Sequence, residues 1–397
     1  DMGMGSSNKI GKHTKLIGFI TLGLVILLTI VLLLGSDRDD VVSTPENPDR
    51  AVHPIYSTYR FDLSGKVINF GVQPLYLPSG LISETMKRDR VLQRALRDLG
   101  MEIRYYPFLK GDDVNFFLRK HDLHLGVGGD MPTITAAAEM EIIIPAKVQQ
   151  GFASLVTTRP IMTRQLRGRR IAYPIGSISH FVVLDVLASE GFTESDAGLV
   201  PMDAPRLAEA LKTGKIDAFA VWEPMAAMAM KKYPEFIAAY QQMTSGYLYF
   251  IKAFYDKTPK AALQVVASVL RAFRWMKMKR ENLLLAGKWS RQAGEKLSGQ
   301  EIPLSDKEIA DLAEKDIFGL VSVPMISRSE LNEGGSLFKE FLFLKELKKI
   351  PSSAPWNRIR RSFDLKMISE VLADPGNYHL NTFDYDLDNP KSKGEAK

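Results

Sequence analysis

The sequence predicts an α/β fold in two lobes, and three observations carry that prediction. Strand- and helix-sized segments alternate from Leu166 to Pro224; a similar alternation precedes them from Lys66; and an extended segment at Tyr247–Ile251 follows, placed to return the chain to the first unit. Within the organising stretch, Arg169–Tyr173 reads as a strand that breaks at Pro174 and Gly176. A helix follows from about Ser179 to Ser189, ended by Gly191. Leu199–Met202 is a second strand, and Asp203 and Pro205 open a helix that stops at Gly214. Ile216–Val221 is a third strand, closed by Trp222-Glu223-Pro224. This order argues a parallel sheet, whose ligand site belongs at the carboxyl ends of its strands.

The preceding unit begins near Phe61. Lys66–Val72 is a strand candidate, and the loop Gln73–Gly80, with Tyr76 and Ser79, opens one long amphipathic helix towards Leu99. Met101–Pro107 is extended, Asp113–Arg119 a short helix, and Leu123–Val127 a buried strand. Gly128-Gly129-Asp130-Met131-Pro132 then leads into an Ala-rich helix. The glycines permit close ligand approach there, and Asp130 is a cap candidate for that helix. Glu141–Val148 and Phe152–Thr157 are two further strands. After Pro224 a short helical run is expected, and Lys260–Lys279, Glu281–Lys296 and Ser305–Lys315 are helices. The expected division is residues 61–158 plus 245–331 for lobe 1 and 159–244 for lobe 2. Residues 332–397 form a C-terminal extension with helices at Leu337–Lys348 and Phe363–Leu372.

Two readings of Gly176-Ser177-Ile178-Ser179 stand side by side. The turn is an ordinary Ser-capped helix start, or its first-turn amides, with the Ser177 and Ser179 hydroxyls and His180, form an anion pocket. No reciprocal capping carboxylate follows at the third position to occupy the amides.

With 397 residues, 45% of them hydrophobic, the chain is long enough for two domains, and its formal charge of +6 is too dispersed to suggest a nucleic-acid surface. The absence of cysteine excludes disulfides, thiol catalysis and thiolate metal sites. No metal or cofactor motif is present, and no nucleophile–base pair points to an enzyme. Leu16–Leu34 is apolar and uncharged, about 28 Å long as a helix, with Lys9, Lys12 and Lys15 before it and Asp37, Asp39 and Asp40 after. It predicts a transmembrane signal anchor at residues 16–35, a cytoplasmic N-terminus at 1–15 and a tether at 36–60. The main body then lies outside a bacterial cytoplasmic membrane, periplasmic or extracellular.

The loop ending at Pro78-Ser79-Gly80, Gly128–Pro132, Leu166–Phe181 and Asp217–Pro224, in that order, resemble the periplasmic solute-binding proteins of ABC importers. The branch is the one serving sulfonates, taurine, nitrate and thiamine precursors. The resemblance covers roughly Lys66–Lys315. It implies a type II periplasmic-binding fold, no catalysis and no cofactor, an anionic or zwitterionic solute between the lobes, and an ABC permease as partner. It places ligand contacts at Gln73, Tyr76 and Ser79, at Asp130 and Met131, at Ser177, Ser179 and His180, and at Trp222 and Glu223. The alternative is an accessory or scaffolding subunit of a membrane complex that reuses the fold and docks through residues 332–397.

Overall fold

The computed structural model describes residues 53–387. Val67–Val72 (β1) is buried along its whole length, as a strand covered on both faces requires. The amphipathic stretch after it forms two helices, Ser79–Lys87 (α1) and Arg90–Asp98 (α2), where one long helix is expected. Asp89 causes the break: its extended backbone and its carboxylate, accepting from the Val91 and Leu92 amides, start α2 afresh. Glu102–Pro107 (β2) and Leu125–Gly129 (β3) flank β1 in parallel, with Gly111–Arg119 (α3) between them and Asp130–Glu139 (α4) after β3.

Ile142–Thr157 (β4) is one long strand rather than two, interrupted in register at three places where its pairing slips. Arg170–Tyr173 (β5), Ile178–Ser189 (α5), Gly198–Pro201 (β6), Ala204–Lys212 (α6) and Ala218–Trp222 (β7) follow the expected alternation. After Met225–Lys232 (α7), Ile237–Ile251 (β8) pairs antiparallel with nearly the whole of β4. The first half of β8 is the element that the sequence hides, because the paired Ala and paired Gln residues there carry little strand propensity. The sheet order is β2-β1-β3-β8-β4-β7-β5-β6. Two parallel half-sheets are therefore joined through a pair of long antiparallel strands, the structural form of a two-lobed α/β type II periplasmic-binding fold.

Pro259–Met278 (α8), Arg280–Ser298 (α9) and Asp306–Lys315 (α10) pack beside lobe 1. Beyond them Ser336–Glu346 (α11), Trp356–Ser362 (α12) and Met367–Ala373 (α13) belong to the body and not to a loose tail. Phe341, Leu344, Ile359 and Val371 join the main core, and Phe363 bridges to Ile144 of β4.

The anchored form of the fold is corrected. Among the described residues no helix is long and apolar enough to cross a membrane. The run at residues 16–34 that carried the expectation lies outside them. The fold class of the described residues is the two-lobed α/β body, with no membrane-spanning helix among them. The signal anchor, the single-pass placement in the cytoplasmic membrane and the membrane-tethered receptor rested on that run, have no helix among the described residues to support them, and are not carried further.

Candidate functional site

Parallel strands end where their helices begin, so β1, β3, β5 and β7 deliver their following loops to one seam between the lobes. Every expected site residue lies on one of those loops or first turns, except Trp222, the last residue of β7. After β1, Gln73 donates to the Val127 carbonyl at 2.6 Å and so ties this loop to β3. Tyr76 is buried and donates to Gln149 Oε1 of β4 at 2.9 Å. Ser79 donates to the Tyr76 carbonyl at the start of α1. The other lobe is stitched to the same loop: Trp222 Nε1 donates to the Leu75 carbonyl at 2.6 Å, and the Glu223 carbonyl accepts from the Leu77 amide at 2.9 Å. The Tyr76 and Trp222 rings meet edge to face at 6.1 Å.

Asp130 does not cap α4. Gly129 occupies the cap position, and the Asp130 carboxylate accepts from the Ser245 amide of β8 at 2.8 Å. Met131 beside it is buried. Burial pushes the Asp130 carboxyl up to about 7, opposed by the Ser245 amide and the Lys147 charge and helped by Glu330. Glu223, half-buried, is also raised to about 7 by desolvation, against the hydrogen bond from the Ala227 amide.

Across the seam, Ser177 caps α5. Its Oγ accepts from the Ser179 and His180 amides at 3.1 and 3.3 Å and donates to the Pro174 carbonyl at 2.6 Å. Two of the first-turn donors are thus already engaged by the chain. Gly176 precedes the cap at φ 67°, in the left-handed region, with Asp112 of α3 packed where a side chain would project. His180 Nδ1 accepts from the Gly176 amide at 3.1 Å, so the neutral ring carries its proton on Nε2. That Nε2 and the Ser179 hydroxyl are buried without a partner. Desolvation, with the Lys349 charge behind it, lowers His180 to about 3 and keeps the ring neutral.

The lobes are in contact. Ile178 of α5 lies so close to Gly129 that a Cβ added there would approach within 2.7 Å of the Ile178 Cβ. Lys110, buried after β2, pairs with Asp113 at 3.2 Å and reaches Asp203 of the other lobe at 3.0 Å. Burial alone would raise the Asp203 carboxyl, but His53, 3.9 Å away, and the Lys110 charge hold it well below the usual carboxylate range.

Four residues that sequence reasoning does not single out complete the seam. Asp316 accepts from the Gln150 amide at 2.8 Å, and burial raises its carboxyl to about 6. Glu330 pairs with Lys147 at 2.6 Å and accepts from the Tyr247 hydroxyl at 3.3 Å. Glu340, on α11, is 8% exposed, and its Oε1 has no partner. Tyr247, on β8, is fully buried. Three of these lie beyond α10, where no motif announces a site; the signal available is an acid at each point where an apolar helix face returns to the body.

Residues 134–289 match the model of the NMT1-like family. A protein of Escherichia coli named as aliphatic sulfonates-binding is 30% identical over 138 residues, 32% of this chain and 42% of that relative. The taurine-binding periplasmic protein of the same organism is 27% identical over 140 residues, 34% of this chain and 43% of its own length. The chain therefore spans about two fifths of the length of the curated relatives it matches. Among solved structures, the alkanesulfonate-binding protein of Xanthomonas axonopodis pv. citri bound to MOPS superposes with a TM-score of 0.57 at 18% identity, covering 75% of this chain and 98% of that one. The periplasmic nitrate-binding protein of Synechocystis gives 0.54 at 13% identity, over 79% and 90%. The chain has a periplasmic-binding-protein-like fold related to the solute-binding proteins of sulfonate, taurine and nitrate ABC importers.

Proposed function

We propose that this chain is a non-catalytic, extracytoplasmic solute-binding component of an ABC importer, holding a small charged organic solute in the seam between its lobes. The observation that carries the reading is the convergence of four strand ends, β1, β3, β5 and β7, on a seam crossed by the long strands β4 and β8. A two-strand connection lets lobes rotate about few backbone dihedrals, the property a capture protein needs. The relatives named for sulfonate and taurine support an anionic or zwitterionic solute, and a permease is the partner to which such a protein delivers. The buried, unpartnered His180 Nε2–H and Ser179 hydroxyl support an acceptor group on that solute.

Thermal denaturation in the presence of taurine, alkanesulfonates and nitrate tests the reading. A solute at about a hundredfold excess over its Kd adds about 2.7 kcal/mol to stability, a readily measured rise in Tm. Trp222→Ala is expected to abolish that rise. A folded protein that no member of the panel stabilises, or a rise that Trp222→Ala leaves intact, rejects the proposal.

A further inference from the structure

The seam is unusual for a site whose relatives are named for anions, because its buried charges are mostly negative. Asp130 opens α4 just after β3, Glu340 comes from α11, and Asp185, only partly buried, from the middle of α5. α11 packs on α4, and its Phe343 ring meets Phe181 of α5 at 5.6 Å, so these three carboxyls are gathered where both lobes and the C-terminal helices join. Asp316 and Glu330 stand nearby, both acting on the tyrosines of the seam. The cation facing them, Lys147, is taken up by Glu330 at 2.6 Å. Asp130 receives one amide hydrogen bond, from Ser245. Glu340 Oε1, in a residue more than nine-tenths buried, receives none. A buried carboxylate oxygen without a donor costs about 1–3 kcal/mol or more, a cost that a protein sustains where a ligand supplies the donor.

The walls suit the same ligand. Tyr76, Trp222 and Tyr247 are buried around the acids, and their ring faces attract a cation electrostatically. Charges on Asp130 and Asp185 add to burial in raising the Glu340 carboxyl well above its ordinary value, and Glu330 acts likewise on Asp130 while Lys147 opposes it. Without a ligand the cluster relieves that repulsion by holding protons; a bound cation relieves it by supplying positive charge and N–H donors instead.

We propose that the seam receives the ammonium end of its solute, with Asp130 and Glu340 as the paired counter-ions and Tyr76, Trp222 and Tyr247 as the aromatic wall. Glu340 is then a specificity-determining residue contributed by the segment that follows the two lobes. The inference rests on the solute-binding reading and narrows it: a zwitterion enters amine first, and a solute with no cationic group is excluded.

A matched pair of probes isolates the sign of the charge. Butylammonium and butanesulfonate share a chain and differ in the head group, and both are titrated calorimetrically into the full chain. Butylammonium is expected to bind and butanesulfonate to bind at least about tenfold more weakly. Glu340→Gln, which keeps the shape and removes the charge, is expected to weaken butylammonium by about tenfold or more. Asp130→Asn should do the same, and a cooperative melt retained by both variants, at or above the midpoint of the intact chain, shows that the loss is not unfolding. Butanesulfonate binding as well as or better than butylammonium overturns the ammonium assignment while leaving the solute-binding reading in place. Butylammonium binding that is indifferent to Glu340→Gln overturns the role of α11. A folded chain that binds neither of these probes nor any member of the taurine, alkanesulfonate and nitrate panel overturns both.

Discussion

Two seam carboxyls, Asp130 and Glu223, are each raised to about 7 chiefly by burial, well above the value near 4 that a carboxyl has in an unfolded chain. Between those values the folded protein holds protons that the unfolded chain has released, so stability falls as pH rises through that window and is greatest below it. The melting temperature is expected to drop between about pH 4 and pH 7, with a contribution of the order of a few kcal/mol from these groups together. Asp130→Asn and Glu223→Gln should each flatten the slope and stabilise the protein at the alkaline end. Thermal scans across that range check it, and a wild-type profile already flat from about pH 4 to 7 would show that these carboxyls are not desolvated in solution. Asp130 is legible in the sequence because two glycines and a proline frame it at a strand end. Its hydrogen bond is not, since the Ser245 amide arrives from a strand 115 residues away.

At the scale of elements, the cap of α5 shows how a local signal and its use can separate. Ser177 after Gly176 announces a helix start, and the structure places that start at Ile178 with Ser177 as its cap. What the four residues cannot tell is that the Ser177 oxygen engages the Ser179 and His180 amides itself. Ser177→Ala removes an oxygen that accepts two bonds and donates a third. It is expected to cost about 1 kcal/mol of stability, measured by urea denaturation at constant m-value. A loss below a few tenths would mean that water replaces the serine, which the burial of the turn argues against. The alternating stretch Leu166–Pro224 is legible because each strand is short, apolar and closed by Pro or Gly. The β4–β8 pair is less so: its register slips at three places, and Ile237–Gln242 alternates too weakly to declare a strand. Long-range pairing, not local propensity, makes that half of β8 extended.

For the whole molecule, the question is whether the two lobes form a complete body without residues 332–397. The packing says that they do not. Phe341, Leu344, Ile359, Val371 and Leu380 are each at most 2% exposed, and burying an apolar side chain of this size contributes about 1.5–3 kcal/mol. Five of them together match the 5–15 kcal/mol by which a folded domain is stable. Polar contacts bind the same segment: the Asp364 amide donates to the Ile144 carbonyl at 2.9 Å, and the Tyr378 carbonyl accepts from Arg271 at 2.7 Å. Arg271 is fully buried and paired with Asp89 at 2.7 Å, so losing Tyr378 strands one of its donors in the interior, beside an ion pair that tolerates no missing partner. Removing residues 332–397 is therefore expected to abolish the cooperative thermal transition and expose apolar surface to a dye such as ANS, rather than trim a dispensable arm. Arg271→Met, which keeps the segment but leaves the Asp89 carboxylate buried without its partner, should lower stability by about 3–5 kcal/mol. Calorimetry of the two variants beside the intact chain decides the point. A truncated protein that melts cooperatively at the midpoint of the full chain would return the C-terminal segment to the role of an appendage, and would take Glu340 out of the structural body on which its place in the seam depends.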